Sequence, residues 1–262
     1  MSILVSNLSK YYGDAKAVDD ISFEVHSGEI LGFLGPNGAG KTTTMRVITS
    51  YLMPSAGSVQ VEGIDVVAES LEVRKLVGYL PEQNPLYLDM NVLEYLTYSA
   101  QLLGVHKAMV PRRLKEMVQT CGLGEMIHKD ISQLSKGYRQ RVGLAAAMIH
   151  DPRVLILDEP TSGLDPNQIV EIRKLIQDIG KEKTVILSTH ILPEVQATCQ
   201  RVVIINRGKI VADGPIEDLQ RSLHGGEKIV LEVEVADSEP FDLISSQVKT
   251  IPAIETVSLI DE

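Results

Sequence analysis

No stretch of the chain approaches the roughly 18 consecutive apolar residues of a membrane-spanning helix. The N-terminus, MSILVSNLSK, also lacks the zoning of a secretory signal, so a soluble, cytosolic protein is the expectation. Cysteine is scarce. Cys121 and Cys199 have no metal-ligand spacing, and no second sign of an oxidising compartment accompanies them, which favours free thiols over a disulfide framework. Basic charge is short as well: 25 Lys and Arg stand against 35 Asp and Glu, and no basic stripe is present to follow a phosphate backbone. No nucleic-acid partner is expected.

The deficit of positive charge is unevenly spread. Residues 227–262 hold nine acidic and two basic residues, which is −7 of the net −10 and leaves −3 for residues 1–226. A boundary near Gly225-Gly226 follows, between a main domain over 1–226 and an acidic extension over 227–262. In that extension Leu231, Val233 and Val235 alternate with Glu232 and Glu234 as a strand with one wet face would, with a helix expected over 241–249 and a second strand over 254–260. Thirty-six residues are too few for a core of their own, so the segment is expected to dock on the main domain, pair with another subunit, or begin a longer domain.

What the chain does contain is the octet Gly35-Pro36-Asn37-Gly38-Ala39-Gly40-Lys41-Thr42, followed by Thr43. It matches G-x-x-x-x-G-K-[ST] in the right context, after the apolar run 30–34 and before a helix expected over 43–52. Backbone N–H groups converge on a phosphate where bulky side chains are absent, which Gly35, Gly38 and Gly40 provide, and the helix N-terminus adds partial positive charge. Lys41 is placed to reach the β- and γ-phosphates, and the Thr42 hydroxyl to ligate Mg²⁺.

Around the octet, strands are expected over 3–8 and 21–26, with Tyr11, Tyr12 and Gly13 in the loop between them, and again over 58–62 and 77–80. An aromatic ring in such a loop can stack on a base, although packing is the commoner role for a loop tyrosine. Apolar residues at helical spacing mark a helix from Val92 to Leu103 and another over 112–120. Ser135 stands as an N-cap ahead of an alanine-rich helix over 139–149. Lying between two blocks of strands, this helical stretch, about 88–150, reads as a subdomain inserted into the core. Further strands are expected over 154–157, 184–187, 202–205 and 209–212, with a helix over 167–179. The fold class is α/β: a P-loop NTPase core, an inserted helical subdomain, an antiparallel β subdomain and the short acidic α+β extension.

A P-loop alone leaves kinases, GTPases and many ATPases open. Asp158, at the end of the apolar strand 154–157, has the position of a carboxylate that holds Mg²⁺ or its water, and Glu159 beside it can polarise an attacking water. Then come Leu134-Ser135-Lys136-Gly137-Tyr138-Arg139-Gln140, Ser162-Gly163-Leu164-Asp165, and His190 after another apolar strand. This ordered set, spanning roughly residues 3–222, resembles that of the ATP-binding cassette (ABC) ATPases.

The resemblance implies a homodimer or heterodimer of ATP-binding subunits. In it, ATP and Mg²⁺ lie between the P-loop of one subunit and Ser135, Lys136, Gly137 and Tyr138 of the other. It makes Tyr12 the adenine-stacking aromatic, Asp165 the residue that communicates across the dimer, Glu159 the general base and His190 the switch histidine at the γ-phosphate. Two departures stand out. Lys136 and Tyr138 replace the glycine and glutamine of the common LSGGQ pattern, and Lys136 adds positive charge. The family's glutamine position, which approaches the metal, falls on Glu82, with Gln83 one residue late.

As an ABC ATPase the chain is expected to be a peripheral subunit on the cytoplasmic face of the cell membrane, working with a separate integral-membrane permease met through residues 84–103. The LSKGYRQR pattern, Leu80-Pro81-Glu82 and the acidic extension are similar to bacterial exporter subunits of the multidrug and gliding-motility kinds. The alternative is a non-transport ABC ATPase acting on nucleic acid or ribosomes. DNA-repair members carry long coiled coils between P-loop and signature, yet only 94 positions separate Lys41 from Ser135 and no sustained heptads occur there. Translation-type members carry two cassettes, and this chain has one. A GTPase or small-molecule kinase is disfavoured, since [NT]-K-x-D is absent and such a reading leaves Ser135 to Gln140 and His190 unexplained.

Overall fold

β1 (Ile3–Tyr12) and β2 (Ala15–Val25) form an antiparallel hairpin that turns at Gly13-Asp14, with Tyr12 opposite Ala15. Pairing continues to the turn, so Tyr11 and Tyr12 belong to the strand rather than to the expected loop. The chain then enters a second sheet through β3 (Ile30–Leu34) and returns in β4 (Ala56–Val61) and the short β5 (Ile64–Asp65). The first sheet is antiparallel, in the order β2-β1-β4-β5. The structure, a computed structural model, describes residues 1–223, so the extension expected over 227–262 and the boundary near Gly225-Gly226 lie outside the described residues.

The second sheet adds β6 (Val77–Leu80), β7 (Val154–Asp158), β8 (Thr184–Thr189), β9 (Arg201–Asn206) and β10 (Lys209–Pro215). Its order is β10-β9-β3-β8-β7-β6, parallel throughout except for β10 on β9. Uninterrupted apolar sequence follows from this position, because strands covered on both faces send alternate side chains into two different cores. Leu31, Phe33, Val154, Ile156 and Ile186 cluster with Val5, Leu8 and Phe23 of the antiparallel sheet. Leu155, Leu157, Val185 and Leu187 cluster instead with Leu96, Leu144 and Ile176 of the helices. Each such side chain contributes about 1.5–3 kcal/mol of burial free energy.

Eight α-helices occur among the described residues: α1 (Lys41–Ile48), α2 (Ser70–Leu76), α3 (Val92–Leu102), α4 (Val110–Thr120), α5 (Lys136–Met148), α6 (Pro166–Gly180), α7 (Leu192–Thr198) and α8 (Ile216–Leu223). α1 starts two residues earlier than expected and ends four earlier, where the Tyr51 and Leu52 N–H groups turn back to Arg46 O ahead of Pro54. α3 is closed by a reciprocal capping box, Glu94 N–H donating to Asn91 Oδ1 at 2.9 Å and Asn91 N–H to Glu94 Oε2 at 3.1 Å. α2, α7 and α8 are additions to the expected elements; each is at most eight residues long, too short to display several turns of periodicity. Among the described residues no helix is long and apolar enough to cross a membrane.

Candidate nucleotide site

Strand register decides where the chemistry gathers. Leu34 pairs with Thr189, Asp158 with Ser188 and Leu80 with Leu157, so β3, β6, β7 and β8 finish level. Their carboxyl ends release the P-loop, Pro81 with Glu82, Glu159 and His190 along one edge, the ligand-binding edge of an open α/β sheet.

Two of the P-loop glycines answer to packing as well as to phosphate access. A Cβ on Gly35 would lie 2.3 Å from the backbone oxygen of Ile205 in β9. One on Gly40, at φ +109°, would lie 2.5 Å from that of Ala17 in β2. The loop is thus wedged between both sheets, and the hairpin carrying Tyr12 abuts it. Tyr12 is half exposed, with the Lys10 ammonium 5.6 Å from its ring centroid. Ala39 is buried, and its N–H donates to Pro36 O at 3.1 Å; Asn37 and Gly38 are exposed.

Lys41 is buried, and its ammonium donates to Gly35 O at 2.8 Å and to Pro36 O at 3.3 Å. It also forms an ion pair with Glu159 Oε1 at 3.3 Å, in a geometry that is not a hydrogen bond. Glu159 Oε2 meets His190 Nδ1 at 3.0 Å. Glu159 is itself held left-handed at φ +49°, while its N–H donates to Ser188 O at 2.9 Å. A side chain in that backbone region costs about 1–2 kcal/mol, the kind of local strain that turns a side chain away from the strand direction at a functional position. Lys41, Glu159 and His190 therefore form one connected cluster.

Asp158 is completely buried. Ser188 Oγ donates to its Oδ1 at 2.8 Å, whereas Oδ2 is buried without a hydrogen-bond partner. An orphaned buried carboxylate oxygen is costly, and a cation removes that cost. The donor set suits Mg²⁺: a buried carboxylate, the half-buried Thr42 hydroxyl, and a carboxylate or amide from the loop after β6. Glu82 and Gln83 are both exposed, and neither makes a hydrogen bond among the described residues. Thr43 is half-buried beside Thr42.

The signature residues lie elsewhere. Ser135 caps α5 by accepting from Tyr138 N–H at 3.4 Å, as its position in the sequence predicts. A Cβ on Gly137 would lie 2.8 Å from Gln168 Cδ, and one on Gly163 would lie 2.1 Å from Lys136 Nζ. Lys136 and Gly137 thus pack, within one chain, on the turn before α6 and on its first residues. Asp165 caps that helix, accepting from Gln168 N–H at 3.0 Å. Asp165 and the signature therefore share one surface.

Some supporting residues carried no motif. Ser188 holds Asp158, and Thr189 Oγ1 donates to the buried Glu194 at 2.8 Å while accepting from Ile191 N–H at 3.2 Å, which secures the backbone on both sides of His190. In the sequence Ser188 and Thr189 are marked only by following the strand expected over 184–187, which the structure extends to Thr189, and Glu194 has no signal of its own. Cys121 and Cys199 are free, and burial pushes both thiols up to about 12, so they stay protonated and unreactive at neutral pH.

Comparison with known proteins agrees with this geometry. The family model described as ABC transporter matches residues 18–162, and one described as AAA domain, putative AbiEii toxin, Type IV TA system, matches residues 130–195. An uncharacterized ABC transporter ATP-binding protein of Methanocaldococcus jannaschii is 40% identical over 222 residues, 84% of this chain and 80% of that protein. The Nod factor export ATP-binding protein I of Rhizobium etli is 35% identical over 241 residues, covering 92% and 75%. A solved structure of the ATP binding subunit of an ABC transporter superposes with TM-score 0.76 at 30% identity, covering 85% of this chain and 93% of that one. With the P-loop, the strand-end carboxylates and the signature helix in place, the chain belongs to the ABC transporter family as an ATP-binding subunit, an ABC-type ATP hydrolase.

Proposed function

We propose that this subunit closes on ATP as a head-to-tail dimer and drives an export permease. The observation carrying the reading is a separation. Lys41, Asp158, Glu159 and His190 gather at the sheet edge, while Ser135 caps α5 and Lys136 and Gly137 pack on Gly163 and Gln168 instead. A second copy, or a related subunit, supplies the missing face: a serine hydroxyl, the Gly137 N–H, the N-terminus of α5, and the Lys136 ammonium. Asp165, on the same surface as that face, is the residue through which one site reports to the other.

Within each site, Tyr12 stacks on adenine and residues 35–43 cradle the phosphates. Thr42 and Asp158, with Glu82 or Gln83, hold Mg²⁺, which when bound neutralises charge on the β- and γ-phosphate oxygens. The γ-phosphate competes with Glu159 for the Lys41 ammonium, and the released carboxylate accepts a proton from the attacking water. His190, oriented through Nδ1, presents its other nitrogen to the γ-phosphate.

Export is supported by the name of the Rhizobium etli relative. The proposed permease contact lies over 84–103, where Tyr87, Leu88 and Tyr98 are exposed and Asn84, Pro85, Tyr95, Ser99, Leu102 and Leu103 help line a groove of about 480 Å³. Residues 88–150 would move as a subdomain against the core when the dimer closes, with the protein peripheral on the cytoplasmic face of the membrane. The test is Glu159→Gln. Hydrolysis should fall about 10²–10⁴-fold while ATP still binds and accumulates a dimer by size-exclusion chromatography; wild-type turnover overturns the assignment.

A further inference from the structure

We propose that Asn84 is a positioning residue that ties the loop after β6 to the signature helix, so that the metal side of one site and the signature of the next move together. The inference rests on the reading that the signature acts across a dimer. Asn84 stands at φ +37°, a conformation that asparagine tolerates better than most residues, with its N–H donating to Pro81 O at 3.0 Å and its carbonyl accepting from Leu86 N–H at 2.9 Å. That turn aims the side chain at α5. Its amide Nδ2 donates to Arg139 O at 2.9 Å, and the amide lies so close to the next helical turn that a Cβ on Gly143 would sit 2.3 Å from Oδ1 and 2.4 Å from Nδ2.

Arg139 relays the contact. Its N–H donates to Ser135 O at 2.9 Å, and its guanidinium clasps the approach to the signature, Nε to Ile131 O at 3.1 Å and Nη2 to Ser132 O at 2.6 Å. In the other direction Asn84 directly follows Glu82 and Gln83, the candidates for the metal side, at the end of a strand level with β7. Asn84 and Gly143 also line the groove beside α3 together with Pro85, Tyr95 and Ser99.

The test uses the full chain. Asn84→Asp keeps size and backbone tolerance but cannot donate to Arg139 O; Asn84→Gly keeps the backbone and removes the amide without adding charge. Both should lower kcat about three- to tenfold, the worth of one hydrogen bond, with ATP binding to the isolated subunit unchanged because the P-loop is untouched. Gly143→Ala evicts the amide and should match them. The double variant Asn84→Gly with Gly143→Ala restores the packing without the bond; it should melt like wild type and stay slow. In a Glu159→Gln background, each variant should need more ATP to form the dimer. Wild-type kcat in both Asn84 variants, or recovery in the double variant, overturns the proposal and leaves the dimer reading standing. Failure of Glu159→Gln alone to dimerise with ATP overturns that reading and this proposal with it.

Discussion

The sheet edge and the signature turn are built on opposite terms. At the sheet edge Lys41, Asp158 and Glu159 are nearly or wholly buried, and their contacts run to backbone and side chains of three strand ends. At the signature Ser135 and Lys136 are exposed, and the cap is a long 3.4 Å contact. Burial on both sides of a parallel sheet makes the first region rigid and pre-arranged before any ligand arrives. The second is a helix end whose Ser135 and Lys136 are exposed while Gly137 is buried against Gln168. In the proposed dimer the first region would hold the phosphate and the second would cover it.

Asp158→Asn should break the comparison most strongly. The amide can still accept from Ser188, so the melting temperature should barely move, while hydrolysis falls on the order of 10²–10³-fold with the loss of the buried charge. An equal loss of stability would mean that Asp158 is structural. Ser135→Ala comes next. Removing one cap costs about 0.5 kcal/mol at this length, but loss of a hydrogen bond to a charged phosphate should slow hydrolysis about 10- to 100-fold. Mixing Ser135→Ala with Lys41→Ala subunits sharpens the point, because the mixed dimer contains one intact site. Recovered ATPase activity marks a signature working across the dimer, and no recovery counts against it.

Glycine substitutions separate the regions by stability alone. Gly35→Ala drives a methyl into the fixed backbone oxygen of Ile205 and should cost about 1–3 kcal/mol in urea unfolding. Gly137→Ala meets the amide end of Gln168, which can swing aside, and should stay within about 0.5 kcal/mol. A pH-dependent effect is expected at His150, which lines the groove and has its Nε2 3.2 Å from Val77 O. Burial is the main cause of a pKa below its ordinary value of 6.5. The folded state therefore resists protonation that the unfolded chain accepts. Stability is unaffected above about pH 6.5 and falls as pH drops below it, by at most about 1.4 kcal/mol per pH unit. His150→Gln should lose less stability than wild type between pH 7.5 and 5.5.

Much of this was legible in one dimension. Val77–Leu80 and the strand ending in Asp158 were readable because continuous apolar runs bounded by turns identify covered strands, and the P-loop octet carries its own context. Ser135 announced its cap. Tyr12 was misplaced into a loop because pairing with Ala15 across the hairpin overrides local loop preference. α2 and α7 escaped because seven residues show too few turns to establish a period. The Glu82 and Gln83 alternatives remained open because both side chains leave the same exposed turn.

By itself the sequence determined the chemistry on offer: a phosphate loop, a strand-end carboxylate pair, a signature serine and a histidine, in an order that identifies the family. Those are properties of residue type and spacing, which the chain carries before it folds. Tertiary structure decided which of them meet. Strand register brought Glu159 between Lys41 and His190, left one oxygen of Asp158 buried and unpartnered, and turned the signature toward Gly163 and Gln168. Contacts between residues dozens of positions apart depend on how sheets and helices pack, and no local pattern encodes that. Asn84 shows the distinction best, an asparagine in a loop until the fold sets its amide against Arg139 and Gly143.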